Sequence, residues 1–167
     1  MQPRPPGLAE PAEFRRVLGH FCTGLTIVTG SLDGTPYGFT CQSFFSLSLE
    51  PPLVAFSPSR ISRSYPSIRR SGAFCINILA EGQADLGQTF ARSGIDKWSG
   101  VAWRAGTTGS PIIDGVLGWI DCSLEAEHDG GDHWLTVGRV VAMDAREGRP
   151  LLYFKGGFTG LAPQDER

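Results

Sequence analysis

Phe14, Val17, Leu18 and Phe21 recur at i, i+3, i+4 and i+7, which predicts a short amphipathic helix with Pro11 and Glu13 in its first turn and Gly24 just beyond its end. From Leu25 the texture changes to β-branched and aromatic runs cut by turns. The stretch LTIVTGSLDGTPYGFTC predicts two strands around Asp33-Gly34, a strong hairpin dipeptide. Residues 53–57 (LVAFS) and 74–79 (FCINIL) are short, nearly continuous apolar runs of the kind that lie inside a sheet. Between them SRSYPSIRRSG predicts a short helix closed by Gly72, with Pro66 tolerated only near its start. A weaker helix is predicted over 82–92. Residues 97–110, rich in Gly and Thr, read as loop, and three further strands follow at 116–127, 134–144 and 151–154.

Six or seven strands, few short helices and no regular β-α alternation predict a mainly β fold: a closed or nearly closed antiparallel barrel with peripheral helices. At 167 residues one core is expected. The Pro-rich opening, 1–11, reads as a flexible arm and 12–167 as a single domain.

With 15 basic and 17 acidic side chains the formal charge is -2, which offers no electrostatic reason for a nucleic-acid or anionic-membrane partner. No apolar run approaches the roughly 20 residues of a membrane helix, and MQPRPPGLAEP lacks the apolar centre of a signal peptide. A cytoplasmic protein is therefore expected. Cys22, Cys41, Cys75 and Cys122 stand far apart with no CxxC pair, and read as buried thiols of a reducing compartment.

Candidate chemistry gathers in two places. In GFTCQSFFSLSLEPPLVAFSPSRISRSYPS the hydroxyls of Thr40, Ser43, Ser46, Ser57, Ser59 and Ser62 are interleaved with Arg60 and Arg63. Hydroxyls and free N–H groups beside arginine suit an anionic phosphate, although the same serines also suit capping and turn formation, Ser59 as an N-cap above all. In EAEHDGGDHWLTVG an ordinary hairpin tip carries His128, Asp129, Asp132 and His133. That is either a solvated turn or a turn that meets a polar ligand, with a carboxylate orienting the imidazole. Metal binding is disfavoured: the two histidines are five apart across a turn, with no third soft ligand nearby. Neither GxSxG, GxGxxG nor GxxxxGK[ST] occurs, so a serine nucleophile and a Rossmann unit are both disfavoured.

The succession FRRVLGHFCTGLTIVT, GFTCQSFFSLSLEPPLVAF, SRSYPSIRRSGAFCINIL, DKWSGVAWR, GSPIIDGVLGWIDC, GGDH and PLLYFKGGFTG resembles, in order, the short-chain flavin reductase family, the reductase components of two-component flavin-dependent monooxygenases. Within it the chain is most similar to reductases of phenol-type hydroxylases, in secosteroid and enediyne pathways. The resemblance implies a flavin-binding split β-barrel with Greek-key-like antiparallel connections, working as a homodimer. It implies reduction of FAD or FMN by NADH and release of the reduced flavin to a partner monooxygenase acting on an aromatic substrate. It places Gly38, Thr40, Gln42, Ser43 and Ser46 along the flavin, and Ser57, Ser59, Arg60 and Ser62 at its phosphate. Lys97 falls near the flavin tail, where Trp98 replaces the usual Phe. Asp132 and His133 fall in a GDH motif that holds the nicotinamide nucleotide, with His133 the candidate catalytic residue, and Phe158 offers an aromatic shelf where relatives often carry Tyr. Two alternatives remain: an oxidase of the pyridoxamine-phosphate type with permanently held FMN, and a non-enzymatic flavin carrier.

Overall fold

The computed structural model describes residues 10–162. The expected arm lies outside these except for its last two residues, and Pro11 already belongs to the first helix, α1 (Pro11–Leu18). Five strands follow: β1 (Thr23–Gly24), β2 (Thr26–Leu32), β3 (Thr35–Cys41), β4 (Phe45–Ser48) and β5 (Leu53–Phe56). Helix α2 (Tyr65–Ser71) and β6 (Ala73–Ile78) come next, then a 3-10 turn (Glu81–Gln83) running into α3 (Ala84–Ala91). The chain continues through β7 (Trp103–Ala105), β8 (Pro111–Ile113), β9 (Gly118–Gly130), β10 (His133–Ala145), β11 (Leu152–Phe154) and β12 (Gly157–Thr159).

The local signals explain most of these boundaries. Asp33 and Gly34 both take positive φ, 51° and 78°, as a type I′ turn requires, and join β2 to β3. Gly72 closes α2 in the left-handed conformation at φ 73°. Four short strands carry too few residues to show a period: β1, β4, β8 and β12. The expected loop at 97–110 also contains β7, which pairs with β8.

Seven strands form the main sheet in the order β3-β2-β6-β9-β10-β5-β4, each neighbouring pair antiparallel. No ladder joins the edges β3 and β4. Instead Ser43, just beyond β3, accepts the Ser57 N–H at 2.8 Å and donates to the Ser57 carbonyl at 3.2 Å, tying the end of β3 to the end of β5. Register shifts on the β9–β10 ladder leave Glu125 and Val141 without a partner, and such bulges increase twist and help the sheet coil.

Adjacent residues of β2 point into different cores. Val28 joins Val54, Phe56, Tyr65, Ile68 and Phe74 under α2. Ile27 joins Leu25, Leu79, Phe90, Ile113 and Leu151 beneath α3. Buried polar side chains fasten the 106–113 segment to the sheet. Asn77 accepts the Ile113 N–H at 2.8 Å, and Asp121 accepts from the Thr108 N–H and hydroxyl at 2.8 and 2.6 Å. On the α2 side the Tyr65 hydroxyl bonds to Glu127 and, at 2.6 Å, to Thr136, while Arg69 pairs with Glu127 at 2.7 Å. Burial first, and then Glu127, push the Tyr65 phenol above its ordinary range.

Two expectations are corrected. Helix α1 stops at Leu18, leaving Phe21 outside it, and its apolar face is not buried: Phe14, Val17 and Leu18 are each more than half exposed, with Phe14 and Leu18 lining a cleft. Of the four thiols, Cys22 is exposed in the connection after α1, whereas Cys41, Cys75 and Cys122 are buried. Burial raises the pKa of all three, taking Cys122 to about 12 with Asp121 adding to it. A thiol reagent at neutral pH is accordingly expected to modify one cysteine, Cys22, in the native protein and all four after unfolding. Peptide mapping after brief labelling reads this directly, and label on Cys75 or Cys122 of the folded chain would contradict the packing.

Candidate functional site

A cleft of about 800 Å³ opens where the end of β3, the turn after β5 and the tip of the β9–β10 hairpin meet. Thr40, Gln42 and Ser43 line one wall; Ser57, Ser59 and Ser62 line another; Lys97 and His133 complete it. Residues as far apart in the chain as Phe14 and His133 thus face one space. A second cleft of about 900 Å³ shares Thr40, Gln42 and Ala91 with the first and runs beneath α3 to Tyr153 and Phe158.

The hydroxyls are not equivalent. Thr40 donates to the Gly87 carbonyl at 2.5 Å, and Ser43 is committed to Ser57, so both hold the frame of the cleft. Ser59 and Ser62 act as acceptors, from the Ile61 N–H at 3.4 Å and the Tyr65 N–H at 3.2 Å, which leaves their O–H protons available to an anion. Ser62, not Ser59, therefore supplies the hydroxyl at the start of α2. Lys97 donates to the carbonyls of Gly38 and Phe90 at 3.1 and 3.0 Å, and its third proton remains for a ligand. Partial burial lowers its pKa.

The other candidate residues stand outside the first cleft. Gly38 lies one layer below the cleft: a Cβ there would come within 2.8 Å of the Phe90 ring and 3.2 Å of Trp98, so the glycine permits that packing. Ser46 is exposed on β4, opposite Val54, away from both clefts. Arg60 turns its guanidinium to the hairpin tip, donating to the Gly131 carbonyl at 2.7 Å and pairing with Asp129 at 3.0 Å. Phe158 lines the second cleft and meets Tyr153 edge to face.

The hairpin tip consists of Gly131 and Asp132 between the paired residues Gly130 and His133. Gly131 has φ 79°, as the first central residue of a type II′ turn requires. Asp129 accepts the Gly131 N–H at 2.9 Å, and that bond, together with Arg60, holds its carboxyl below the usual range. Asp132 is held low by His133, whose Nδ1 is 2.7 Å from Oδ1. An ionised carboxylate only accepts, so Nδ1 carries the hydrogen and Nε2 is left for a ligand. The crowding of titratable groups in this turn thus has a local cause: Asp129 shapes the turn and Asp132 orients the imidazole.

Arg63, set among the serines in the sequence, is a cation of the first cleft. Other lining residues were not singled out as ligand contacts from the chain alone, among them Phe14 and Leu18 of α1 in the first cleft. Asp85, Gln88, Thr89 and Arg92 form an i, i+3, i+4, i+7 stripe along α3 that lines the second. The stripe is legible as a polar helix face, but nothing in the sequence says that a cleft lies against it.

An antiparallel sheet with hydroxyls, cations and an oriented imidazole converging on one cleft has the chemistry that a phosphate-bearing ligand requires. The chain belongs to the flavin reductase like domain family, whose sequence profile matches residues 18–162, and is accordingly an oxidoreductase of the flavin reductase type. The reductase subunit HsaB of a flavin-dependent monooxygenase from Rhodococcus jostii (strain RHA1) is 54% identical over 155 residues, covering 92% of this chain and 80% of that protein. Nitrilotriacetate monooxygenase component B from Mycobacterium thermoresistibile is 48% identical, with a TM-score of 0.86 over 92% of this chain and 90% of its own. The NADH:FAD oxidoreductase SgcE6 of Streptomyces globisporus C-1027, solved with NAD and FAD fragments, is 30% identical, with a TM-score of 0.88 over 95% and 99%.

Proposed function

We propose that the protein binds FAD, or FMN, and NADH in the cleft between β3 and the hairpin tip, and releases the reduced flavin to a separate monooxygenase acting on an aromatic, phenolic substrate. The carrying observation is the convergence of Thr40, Gln42, Ser57, Ser59, Ser62, Lys97 and His133 on one cleft. The donor set fits the group: the available hydroxyls of Ser59 and Ser62, with Lys97 and Arg63 beside them, suit a phosphate in position and charge. The names of the relatives supply the flavin, the nicotinamide nucleotide and the monooxygenase. The second cleft has room for the rest of a dinucleotide, which favours FAD.

Bound together, the nicotinamide supplies a hydride and the flavin accepts it, so the chain need provide no nucleophile. Its own residues hold and orient. The Ser43–Ser57 and Thr40–Gly87 bonds fix one wall of the cleft, against which a flavin ring would be held, and the Ser59–Ser62 turn would hold a phosphate. His133, its Nδ1 directed by Asp132, offers Nε2 to the second nucleotide. This is positioning of two reactants, which by itself can remove a large part of a barrier between two bound molecules.

The same reading takes the coiled sheet as a split barrel with Greek-key-like connections, spanning 12–167 as one domain, and the protein as a cytoplasmic homodimer. The exposed apolar face of α1 supports the dimer: Val17 lies outside both clefts and Phe14 and Leu18 line the first, and a second copy would cover the part of this face that the cleft leaves to water. Sedimentation is expected to give twice the chain mass, and Val17→Glu, on that face and outside the clefts, to give a monomer. A monomeric wild type at micromolar concentration would remove the dimer. None of the helices is long and apolar enough to cross a membrane, among the described residues.

Anaerobic stopped-flow with NADH and excess flavin tests the activity. Multiple turnovers of added flavin, followed by bleaching near ~450 nm, are expected. Bleaching of one bound equivalent would indicate a permanently loaded oxidase; flavin binding without NADH consumption would indicate a carrier.

A further inference from the structure

The turn after β5 and the hairpin tip, some seventy residues apart, are stitched into one unit. The Trp134 N–H donates to the Pro58 carbonyl at 2.9 Å, Ser59 and His133 form a β-bridge, and the Arg60 N–H donates to the Asp132 carbonyl at 3.0 Å. The Arg60 side chain completes the joint with three contacts of different kinds. Its Nε donates to the Gly131 carbonyl at 2.7 Å, its terminal nitrogen pairs with Asp129 at 3.0 Å, and its Cζ lies over the Trp134 ring, 3.8 Å from the centroid.

An arginine among serines would ordinarily be read as a phosphate ligand. Here the guanidinium meets the hairpin, and the cations that line the first cleft are Arg63 and Lys97. An exposed ion pair by itself contributes little. A fork that donates to a carbonyl, pairs with a carboxylate and stacks on an indole at the same time fixes a direction, which the point charge of lysine cannot do.

The tip has reason to need fixing. Gly130, Gly131 and Asp132 are all exposed, and two adjacent glycines leave the backbone many alternative conformations. If the tip spends part of its time elsewhere, the apparent affinity of any ligand held by His133 falls in proportion to the fraction in place.

We propose that Arg60 is a positioning residue, which clamps the Gly131–Asp132 turn onto the Ser59–Ser62 turn and thereby sets the His133 imidazole for the nicotinamide nucleotide without touching either cofactor. The proposal rests on the functional reading above. It also joins the two halves of the cleft: the turn that holds the flavin phosphate carries the clamp for the residue that meets the second nucleotide.

The test is a double-mutant cycle of Arg60→Ala and His133→Ala, with Arg60→Lys beside it, in flavin-loaded protein. NAD+ affinity is read by calorimetry, NADH KM and kcat by steady-state kinetics, and flavin affinity by fluorescence quenching. Arg60→Ala is expected to weaken NAD+ binding and raise the NADH KM roughly tenfold, with kcat and flavin affinity within about twofold of wild type. Arg60→Lys should recover only part of the loss. In the His133→Ala background, removing Arg60 should add less than about twofold, because its partner in function is already gone. Fully multiplicative losses would overturn the proposal, showing that Arg60 acts independently of His133. A large loss of flavin affinity with the NADH term unchanged would overturn it in favour of a direct phosphate contact. Should His133→Ala itself leave NAD+ binding unchanged, the assignment of His133 fails first and the clamp with it; should only Arg60→Ala be silent, the clamp alone fails.

Discussion

Gly138→Ala is expected to destabilise the protein by about 3 kcal/mol, lowering its melting temperature by roughly 6–12 °C. A Cβ at this position would stand 2.2 Å from the Cζ of Phe74 and 3.1 Å from the Cβ of Cys122. Phe74 is fully buried and packs against Phe56 with ring centroids 4.9 Å apart, so it has no open side toward which to retreat. Backbone strain is not the cause, since φ at Gly138 lies outside the left-handed region. With space available, alanine would be mildly stabilising by restricting the unfolded chain; the close contact decides the sign. Thermal and urea unfolding followed by circular dichroism measure the loss. Phe74→Leu, which removes the obstructing ring, should make the double variant more stable than the sum of the two single losses predicts. A Gly138→Ala protein melting within a degree or two of wild type would show that the Phe74 packing is wrong.

His133→Ala is expected to weaken the NADH term by roughly ten- to a hundredfold while leaving the fold intact, which corresponds to loss of one oriented hydrogen bond of ~1–3 kcal/mol. The imidazole is suited to that role because Asp132 takes its Nδ1 hydrogen and the β-bridge to Ser59 holds its backbone. His133→Asn, which retains a hydrogen-bonding group, should recover part of the loss. Since the hydride comes from the cofactor, kcat at saturating NADH should change less than KM. An unchanged NADH term in a folded His133→Ala protein would remove this residue from the site.

Local chemistry made much of this molecule legible in advance. Asp33-Gly34 specified a hairpin, Gly72 ended α2, and strands were expected at 116–127 and 134–144, beside the turn next to His133. The hydroxyl-rich stretch and the titratable turn were visible as composition, and the order of motifs pointed to the family that the sequence profile then matched. The short strands and the pairing of 103–105 with 111–113 were not visible, because three or four residues hold too little pattern to outweigh a Gly- and Thr-rich setting.

The sequence by itself determined the β-rich architecture, the turns and the residue types that a phosphate-bearing cofactor needs, since each of these depends on backbone preference and side-chain chemistry within a few residues. Only the tertiary structure decided which hydroxyls are committed to the frame and which remain for a ligand, that Arg60 serves the hairpin, that Ser46 stands apart, and that the apolar face of α1 stays half-exposed with Phe14 and Leu18 lining the first cleft. Those outcomes depend on which distant segments meet. A serine donates to whatever acceptor the fold brings within about 3 Å, and an apolar helix face is buried only if another surface arrives to cover it.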